Sequence, residues 1–293
     1  MRPLRLATRG SALALWQARH VQSLLACEAE LVVVETSGDV QQRAPLAAIG
    51  GQGLFTKEIQ RAVLEGRADL AVHSLKDLPT EPTPGLTLAA VPERGPVADV
   101  FVSKKWKSLE ELPAGARVAT GSPRRRAMLR HRRPDLRFEE LRGNLDTRLR
   151  KLLEQGLDAI ILAEAGLVRL GQADQITERL APAWMVPAVG QGALGVEVRS
   201  EDVDVLAAVA KLDHAPTRCA VSAERAFLRT LSGGCSLPVG ALATAAAGQL
   251  RLVAALLDEK GTWRLDDVIA GPEVDAELVG VELARRFLAA GRK

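Results

Sequence analysis

The sequence predicts an α/β protein of two similar lobes followed by a small α+β domain. Short apolar segments typical of strands alternate with amphipathic helical segments from residue 5 to residue 198. Two stretches of this first part recur later in the chain. After residue 200 the alternation stops, and a long helical stretch, strands and a last helix follow. Alternating strands and helices are typical of mixed, mainly parallel sheets with helices packed against them.

Nine segments have the composition of short strands. They are RLAT (5–8), LVVVE (31–35), DLAVHS (69–74), LTLAAV (86–91), DVFVS (99–103), RVAT (117–120), LRFEEL (136–141), DAIILA (158–163) and LGVEV (194–198). Helix boundaries are marked as well: Ser122 is a predicted N-cap with Pro123 at the first helical position. Asn144 is expected to open a second helix, which Gly156 ends.

The internal repeat predicts two lobes of one design. LATRGSALAL (6–15) resembles VATGSPRRRAML (118–129), and AVLEGRADLAVHSLKDL (62–78) resembles KLLEQGLDAIILAEAGL (151–167). In each lobe a strand ends in a Thr-Gly-Ser type turn at a helix N-terminus, which presents free backbone N–H groups to an anion. Capping by Ser11 and Ser122 also explains the serines. The repetition, with Arg9, Arg124 and Arg125 beside the turns, favours anion binding.

The third domain is predicted from the last 90 or so residues. Residues 201–231 have a helical pattern, VGALATA (239–245) and QLRLVAALLD (249–258) alternate as strands covered on one side, and a helix follows from about 273 to 290. Between them, Cys235 lies in SGGCSLPVG (232–240). Two glycines precede Cys235, a serine follows it and Pro238 closes the turn, which leaves the thiol uncrowded, so Cys235 is a candidate for covalent modification rather than for core packing.

Composition limits the class of protein. A chain of 293 residues that is 47% hydrophobic can form two or three globular domains. No apolar run approaches the ~18 residues of a membrane span, and Arg5 and Arg9 interrupt the start, which predicts a cytoplasmic protein. Cys27, Cys219 and Cys235 show no CxxC spacing, so reduced thiols are expected, without a cysteine-based zinc site.

Charge and strand ends together indicate an anionic ligand. Residues 117–150 hold eleven arginines against four acidic residues, a local balance of +7 in a chain whose net charge is +3. Arginine suits bidentate capture of carboxylate or phosphate, although a solvated helix face would have the same composition. Lys76 and Asp77 follow a buried-type strand at its carboxyl end, where open sheets bind ligands. His73, just before, is expected to pack within the strand.

Nine ordered blocks of the sequence resemble one family, porphobilinogen deaminase, also called hydroxymethylbilane synthase. These blocks cover nearly the whole chain: ATRGSALALWQA, GGQGLF with the KE after it, DLAVHSLKDLPT, TGSPRRRA, LRGNLDTRL, DAIILAEAGLVRLG, PAVGQGALGVE, AERAFL and GGCSLPVG. The resemblance implies two lobes like those of a periplasmic binding protein plus a third domain. It divides the chain into residues 1–92 plus 188–212, residues 93–187 and residues 213–293.

The resemblance also implies a cofactor and a reaction. One dipyrromethane per chain would be held by a thioether to Cys235, with no metal. Four porphobilinogen molecules would condense stepwise on this primer in a transferase reaction of tetrapyrrole (haem and chlorophyll-type) biosynthesis. Each aminomethyl group would lose its nitrogen as ammonia, the free α-carbon of the terminal ring would attack the remaining methylene carbon, and water would finally release the linear tetrapyrrole hydroxymethylbilane. Every ring carries an acetate and a propionate, so arginines suit the growing chain.

Residue roles follow from the same resemblance. Asp77 would bond to pyrrole N–H groups and stabilise positive charge during the reaction. The residues expected to bind cofactor and substrate are Arg9, Ser11, Ser74, Lys76, Thr120, Ser122, Arg124, Arg125, Arg142, Arg148 and Arg169. A cover loop would include Gln52 and Phe55. The family commonly has lysines where this chain has Ala48 and Gln52, so the loop is expected to act as a flexible cover and not as a cationic group.

Two other classes of function are weighed against this expectation. A non-catalytic two-lobed binding module would have no use for a third domain with a Gly-Gly-Cys loop. A nucleic-acid binder could place the arginines of residues 117–150 on phosphates. The chain has 3% aromatic residues and no tyrosine, so it offers few surfaces for base stacking. We therefore expect a protein that binds the small molecule porphobilinogen, without nucleic acid or membrane as partner. We also expect it to be a monomer.

Overall fold

The computed structural model describes residues 2–36, 56–231 and 238–291. Ala48, Gln52, Phe55 and Cys235, which the sequence singles out, lie outside these ranges. Numbered in chain order, the strands are β1 (Leu4–Thr8), β2 (Ala29–Val33), β3 (Leu70–Ser74), β4 (Leu86–Ala90), β5 (Asp99–Val102), β6 (Arg117–Ala119), β7 (Arg137–Glu139), β8 (Ala159–Ala163), β9 (Glu178–Leu180), β10 (Leu194–Arg199), β11 (Val239–Ala246), β12 (Gln249–Leu257) and β13 (Arg264–Pro272).

Three α-helices begin at the capping residues that the sequence predicts. Ser11 Oγ accepts a hydrogen bond from Ala14 N (3.4 Å), Ser122 Oγ from Arg125 N (3.4 Å) and Asn144 Oδ1 from Thr147 N (3.0 Å). The helices are α1 (Ala12–Leu24), α2 (Lys57–Leu64), α3 (Pro123–Arg132), α4 (Leu145–Glu154), α5 (Glu164–Arg169), α6 (Val203–Val209), α7 (Ala215–Thr230) and α8 (Ala276–Ala290). None of them is long and apolar enough to cross a membrane.

Two five-stranded sheets of matching topology form the first two lobes. Their strand orders are β2-β1-β3-β10-β4 and β7-β6-β8-β5-β9. In each sheet the first three strands are parallel, the fourth is reversed and the fifth is antiparallel to the fourth. Four of five strands therefore run in one direction, which confirms the mixed α/β class. The reversed strands, β10 and β5, are the ones that enter from the other lobe.

The third part of the chain is a three-stranded antiparallel sheet, β11-β12-β13, with α7 and α8 packed against one face. This confirms the small α+β domain. Residues 201–231 are largely helical, as predicted: α6 is followed by a 3₁₀ turn at Ala210–Leu212 and, after residues 213 and 214, by α7. Strands β9 and β13 were missed, because β9 has only three residues and β13 is an edge strand that carries two aspartates.

Two crossover segments, residues 91–98 and 181–193, join the lobes, and one buried carboxylate ties both to the third part of the chain. Glu224 of α7 is fully buried. Its oxygens accept bonds from both terminal nitrogens of Arg94 (2.7 and 3.0 Å), from Gly190 N (2.8 Å) and from Ala243 N (2.8 Å). Arg94 and Gly190 lie in the two crossover segments, and Ala243 lies in β11. The exact bounds of the three domains stay a prediction.

Replacing Glu224 by alanine should destabilise the whole chain. It would leave the buried Arg94 guanidinium and two backbone N–H groups without their acceptor, which costs about 3 to 5 kcal/mol. The midpoint of thermal unfolding should fall by roughly 6 to 12 °C at the lower figure. Glu282→Ala removes only an exposed pair with Arg286 at 3.5 Å and serves as the control. Equal melting of the two variants would show that Glu224 does not hold the three parts together.

Candidate functional site

A cavity of about 860 Å³ opens between the first two lobes. Residues that directly follow β1, β2, β3 and β8 line it, as do Gly121 and Ser122 just after β6. All these positions are carboxyl ends of strands that run in the common direction of their sheets, where open α/β sheets form ligand sites. Both repeated turns, residues 9–11 and 120–122, reach this one cavity, so the N-termini of α1 and α3 lie at its wall.

Lys76 and Asp77 lie in a single 3₁₀ turn, Leu75–Asp77, that ends β3. Leu75 is buried in a small apolar cluster and anchors this turn, and both Lys76 and Asp77 line the cavity. Desolvation and the Arg125 charge lower the pKa of Lys76 to about 8, against the opposing effect of Asp77 and Asp99. Asp77 itself is exposed. A cation and a carboxylate are therefore presented side by side at one strand end.

Arg124 and Arg125, in the first turn of α3, share one buried carboxylate. Arg124 Nη1 lies 2.7 Å from Asp99 Oδ2, and Arg125 Nη2 lies 2.7 Å from Asp99 Oδ1. Burial alone would raise the pKa of Asp99, but the two guanidinium groups hold it well below its usual range. Because the single Asp99 carboxylate is shared by two guanidinium groups, Arg124, Arg125 and Asp99 together keep a net positive charge beside the cavity. The Nε of Arg124 has no acceptor among the described residues.

Three further arginines line the cavity from the second lobe. Arg148 Nε donates to Gly143 O (2.8 Å), and burial lowers the pKa of Arg148 to about 10. Arg169 Nη2 donates to Gly192 O (2.6 Å), its guanidinium lies over the Trp16 ring, and burial lowers its pKa to about 10 as well. Arg142 is the third. Both arginines with lowered pKa values stay protonated at neutral pH.

The described lining of the cavity is strongly cationic. Seven of its side chains are cations, and two, Glu35 and Asp77, are carboxylates. The cations are Arg9, Lys76, Arg124, Arg125, Arg142, Arg148 and Arg169. Charge-assisted hydrogen bonds from guanidinium groups are the strongest recognition that side chains offer to carboxylates. The cavity is therefore built for a ligand with several carboxylate groups.

The structure brings only part of the arginine cluster of residues 117–150 to the cavity. Arg117, Arg126, Arg132 and Arg133 are paired with acidic side chains away from the cavity, at N–O distances of 2.5 to 2.8 Å. The cluster as a whole is therefore not the anion site, because neighbouring carboxylates neutralise part of it. Only Arg124, Arg125, Arg142 and Arg148 of the cluster reach the cavity.

Three other residues that the sequence singled out also have clear positions. Ser74 lines the cavity at the end of β3. Thr120 is buried and is not part of the described lining; its Oγ1 accepts a bond from Ser122 N (3.3 Å), so it shapes the turn. His73 is buried within β3, as expected, with its Nε2 3.0 Å from Glu197 Oε2.

Asp99 and Gln191 were not predicted as functional residues. Asp99 begins the fully buried strand β5, and a lone acid at the start of an apolar segment was the available signal. Gln191 stands between two glycines in PAVGQGALGVE, one of the blocks that resemble the family, but no local signal distinguishes its glutamine as functional. Both side chains are fully buried and touch the cationic residues of the cavity.

Family models account for both parts of the chain. The model described as "Porphobilinogen deaminase, dipyromethane cofactor binding domain" matches residues 4–207. A second, "Porphobilinogen deaminase, C-terminal domain", matches residues 218–289. The chain belongs to the porphobilinogen deaminase family. This confirms the resemblance that the sequence blocks indicated.

Relatives in this family match the chain from end to end. Porphobilinogen deaminase of Pelotomaculum thermopropionicum is 49% identical, over 99% of this chain and 95% of its own length. Its counterpart in Nitratidesulfovibrio vulgaris is 47% identical with the same coverage. Among solved structures, a putative methionine-binding lipoprotein from Bacillus subtilis is similar to 72% of this chain and 89% of its own, with 14% identity and a TM-score of 0.45.

Family membership makes the chain a hydroxymethylbilane synthase, a transferase of tetrapyrrole biosynthesis that uses a dipyrromethane cofactor. The cavity fits such a group, because two pyrrole rings with an acetate and a propionate each carry four carboxylates. Seven cationic side chains and an unpaired Arg124 Nε at one cavity are the donors such a group requires. Among the described residues, no cluster of three His, Cys, Asp or Glu is placed to hold a metal ion.

Proposed function

We propose that this cavity is the active site in which porphobilinogen is condensed, with Asp77 as its catalytic residue and Cys235 as the attachment point of the cofactor. The observation that carries the proposal is the exposed Asp77 carboxylate, held beside Lys76 in the turn that ends β3, among seven cations that line one cavity. A carboxylate-rich substrate would be held by the cations. The exposed carboxylate would be the group left to act on cationic intermediates and N–H groups.

The cofactor, when bound, supplies a pyrrole α-carbon nucleophile that this chain's side chains lack. Arg124, Arg125 and Arg148 are the residues we assign to its carboxylates, because they lie near one another at the wall of the cavity where α3 begins. Lys76, Arg9, Arg142 and Arg169, with Ser11, Ser74 and Ser122, are assigned to the incoming substrate and the growing chain. Thr120 is assigned a supporting role, since its hydroxyl accepts a bond from Ser122 N.

Asp77 is assigned the stabilisation of positive charge. A carboxylate fixed at a strand end can accept hydrogen bonds from pyrrole N–H groups and favours the cationic state that develops when ammonia leaves. Leu75 and Leu78, both buried, hold the turn on either side of Lys76 and Asp77. The carboxylate therefore needs little reorganisation at the moment of reaction. Lys76 beside it can bind a substrate carboxylate and align the ring.

Substrate affinity should fall at alkaline pH because of Lys76. The ammonium is charged below its pKa and neutral above it, so its attraction for a carboxylate is present at neutral pH and lost as pH rises through about 8. Arg148 and Arg169, with pKa values of about 10, keep their charge over this interval. A pH series of KM for porphobilinogen from about pH 6.5 to 9.5 should show KM rising as the ammonium loses its proton.

Lys76→Met should raise KM at neutral pH and remove this alkaline rise. Lys104→Met is the matched control, since the Lys104 ammonium also bonds to a glutamine carbonyl, that of Gln175 at 2.7 Å, but lies outside the cavity lining. The assignment of Lys76 fails if the Lys76→Met enzyme keeps the alkaline rise of the native enzyme.

The reaction itself is tested by incubating the purified chain with porphobilinogen. We expect ammonia and a linear tetrapyrrole in a ratio of about four to one, as four condensations per product require. Ammonia release without the tetrapyrrole would contradict the proposed condensation, and absence of both from a cofactor-loaded sample would contradict the function.

Three further properties belong to the proposal. We infer that the lobes comprise residues 1–92 with 188–212, and 93–187, and that the third domain comprises residues 213–293; β10 pairing with β3 supports the discontinuous first lobe. We infer a cytoplasmic location, which the free thiols of Cys27 and Cys219 support. We also infer that the protein is a monomer and that it does not bind nucleic acid. Sedimentation at several concentrations tests the monomer, and titration with DNA at low salt tests the last point.

A further inference from the structure

Gln191 lies in the turn Gly190–Gly192, where the two crossover segments between the lobes meet. Gly192 has a φ of 86°, and a Cβ there would lie 2.6 Å from Gly95 O and 2.7 Å from Pro96 O. Gly95 N also donates to Gly192 O (3.1 Å). The backbone of the second crossover thus runs directly against that of the first. Between its glycines, Gln191 extends a fully buried side chain into the cavity wall.

The amide of Gln191 contacts both lobes. Its Nε2 donates to Val97 O (2.8 Å) and to Asp99 Oδ1 (3.0 Å). Its Oε1 lies 3.5 Å from Lys76 Nζ, in the first lobe, and 3.5 Å from Arg125 Nη2, in the second. A carbonyl and a carboxylate only accept hydrogen bonds, whereas an ammonium and a guanidinium only donate them. The four partners therefore determine the orientation of the amide: Nε2 faces Val97 and Asp99, and Oε1 faces Lys76 and Arg125.

The Gln191 amide oxygen is a neutral acceptor that lies between the cations Lys76 and Arg125. Lys76 and Arg125 repel each other across the cavity wall, and Asp99 is already shared between Arg124 and Arg125. The partial negative charge of the amide oxygen reduces this repulsion but does not cancel either charge. A carboxylate at the same position would cancel one of them, and an apolar side chain would leave the repulsion in full.

We propose that Gln191 is a positioning residue whose amide holds Lys76 of one lobe and Arg125 of the other side by side as two uncancelled cations, ready for the carboxylates of the pyrrole chain. The inference rests on the proposed active site and adds to it a residue that joins the two lobes. It also explains why an amide, and neither an acid nor an apolar side chain, occupies this buried position.

The test compares Gln191→Glu with Gln191→Met in the cofactor-loaded enzyme. The charged groups that face Lys76 are Arg124 and Arg125 of α3, Asp99 of β5 and Asp77 of its own turn. The carboxylate that Gln191→Glu adds to them should move the alkaline rise of KM upward by about one pH unit and raise KM at neutral pH about tenfold, because a cation is cancelled. Gln191→Met should move the rise downward. Opposite shifts are not expected from a residue that only maintains the fold.

Gln175→Glu is the matched control. Gln175 also bridges a lysine and an aspartate, with Oε1 accepting from Lys104 (2.7 Å) and Nε2 donating to Asp174 (2.6 Å), but it is outside the described cavity lining. This variant should behave as the native enzyme. Intact mass confirms cofactor in every sample.

Several results would overturn the proposal. The proposal fails if the alkaline rise of KM moves in the same direction in both Gln191 variants. It also fails if the rise does not move and KM at neutral pH is unchanged. If KM of the native enzyme does not rise at alkaline pH, an unchanged KM at neutral pH in Gln191→Glu contradicts the proposal. Failure of both variants to fold would assign Gln191 to stability alone. Absence of turnover in the native, loaded enzyme would instead contradict the proposed function.

Discussion

Asp77→Asn should lower kcat by about 10²- to 10³-fold and leave the fold intact. The substitution keeps the shape of the side chain and removes its charge, so the cationic state that forms as ammonia leaves loses its counter-charge. The side chain is exposed and ends a 3₁₀ turn that the buried Leu75 anchors, so thermal stability should hardly change. KM should change far less than kcat, because the cations that bind the carboxylates remain.

Single-turnover kinetics with the loaded enzyme measure this effect most directly, because they separate substrate binding from the chemical step. Asp174→Asn, at an acid outside the described cavity lining, is the control and should match the native rate. A loaded Asp77→Asn enzyme with native kcat would remove Asp77 from the mechanism.

Cys235→Ser should abolish turnover completely, since the primer would have no thiol to bind. The mass of the purified native chain should exceed the sequence mass by two linked pyrrole units, and that of Cys235→Ser should not. Cys219→Ser is the control within the same part of the chain: this thiol is half-buried, donates to Glu273 O (3.4 Å), and burial raises its pKa, so it is a poor nucleophile.

Two outcomes of the mass measurement would change the assignment. Excess mass in Cys235→Ser but not in Cys219→Ser would transfer the attachment to Cys219. A native chain of plain sequence mass would be the unloaded form, and incubation with porphobilinogen followed by a second mass measurement would show whether it assembles its own primer.

Local signals in the sequence predicted most of the secondary structure correctly. The nine strand segments of the first two lobes are all present, with β2 two residues earlier than expected, and Ser11, Ser122 and Asn144 cap their helices. These features depend on side-chain alternation and on bonds three residues apart, which the sequence contains directly. The polar edge strand β13 was missed because its pairing with β12, and not its local composition, makes it a strand.

The arginines show where such reasoning stops. Arg126 and Arg125 are adjacent in TGSPRRRA, yet Arg126 pairs with Glu140, outside the cavity lining, and Arg125 is buried against Asp99 at the cavity. Helical geometry places consecutive residues about 100° apart, so one faces the cavity wall and the other does not. Composition indicated an anionic ligand correctly but could not assign the individual cations to it.

The sequence by itself determined the α/β class with its third domain, the family, and the chemistry to expect of the ligand, because strand periodicity, caps and ordered motifs are properties of contiguous residues. Only the tertiary structure decided which cations share one cavity and how their charges are balanced. Gln191 meets Lys76 across 115 positions of the chain, and Asp99 meets Arg125 across 26. Contacts over such separations exist only once the chain has folded, and burial beside the crossover segments is what makes an amide and a single carboxylate matter there.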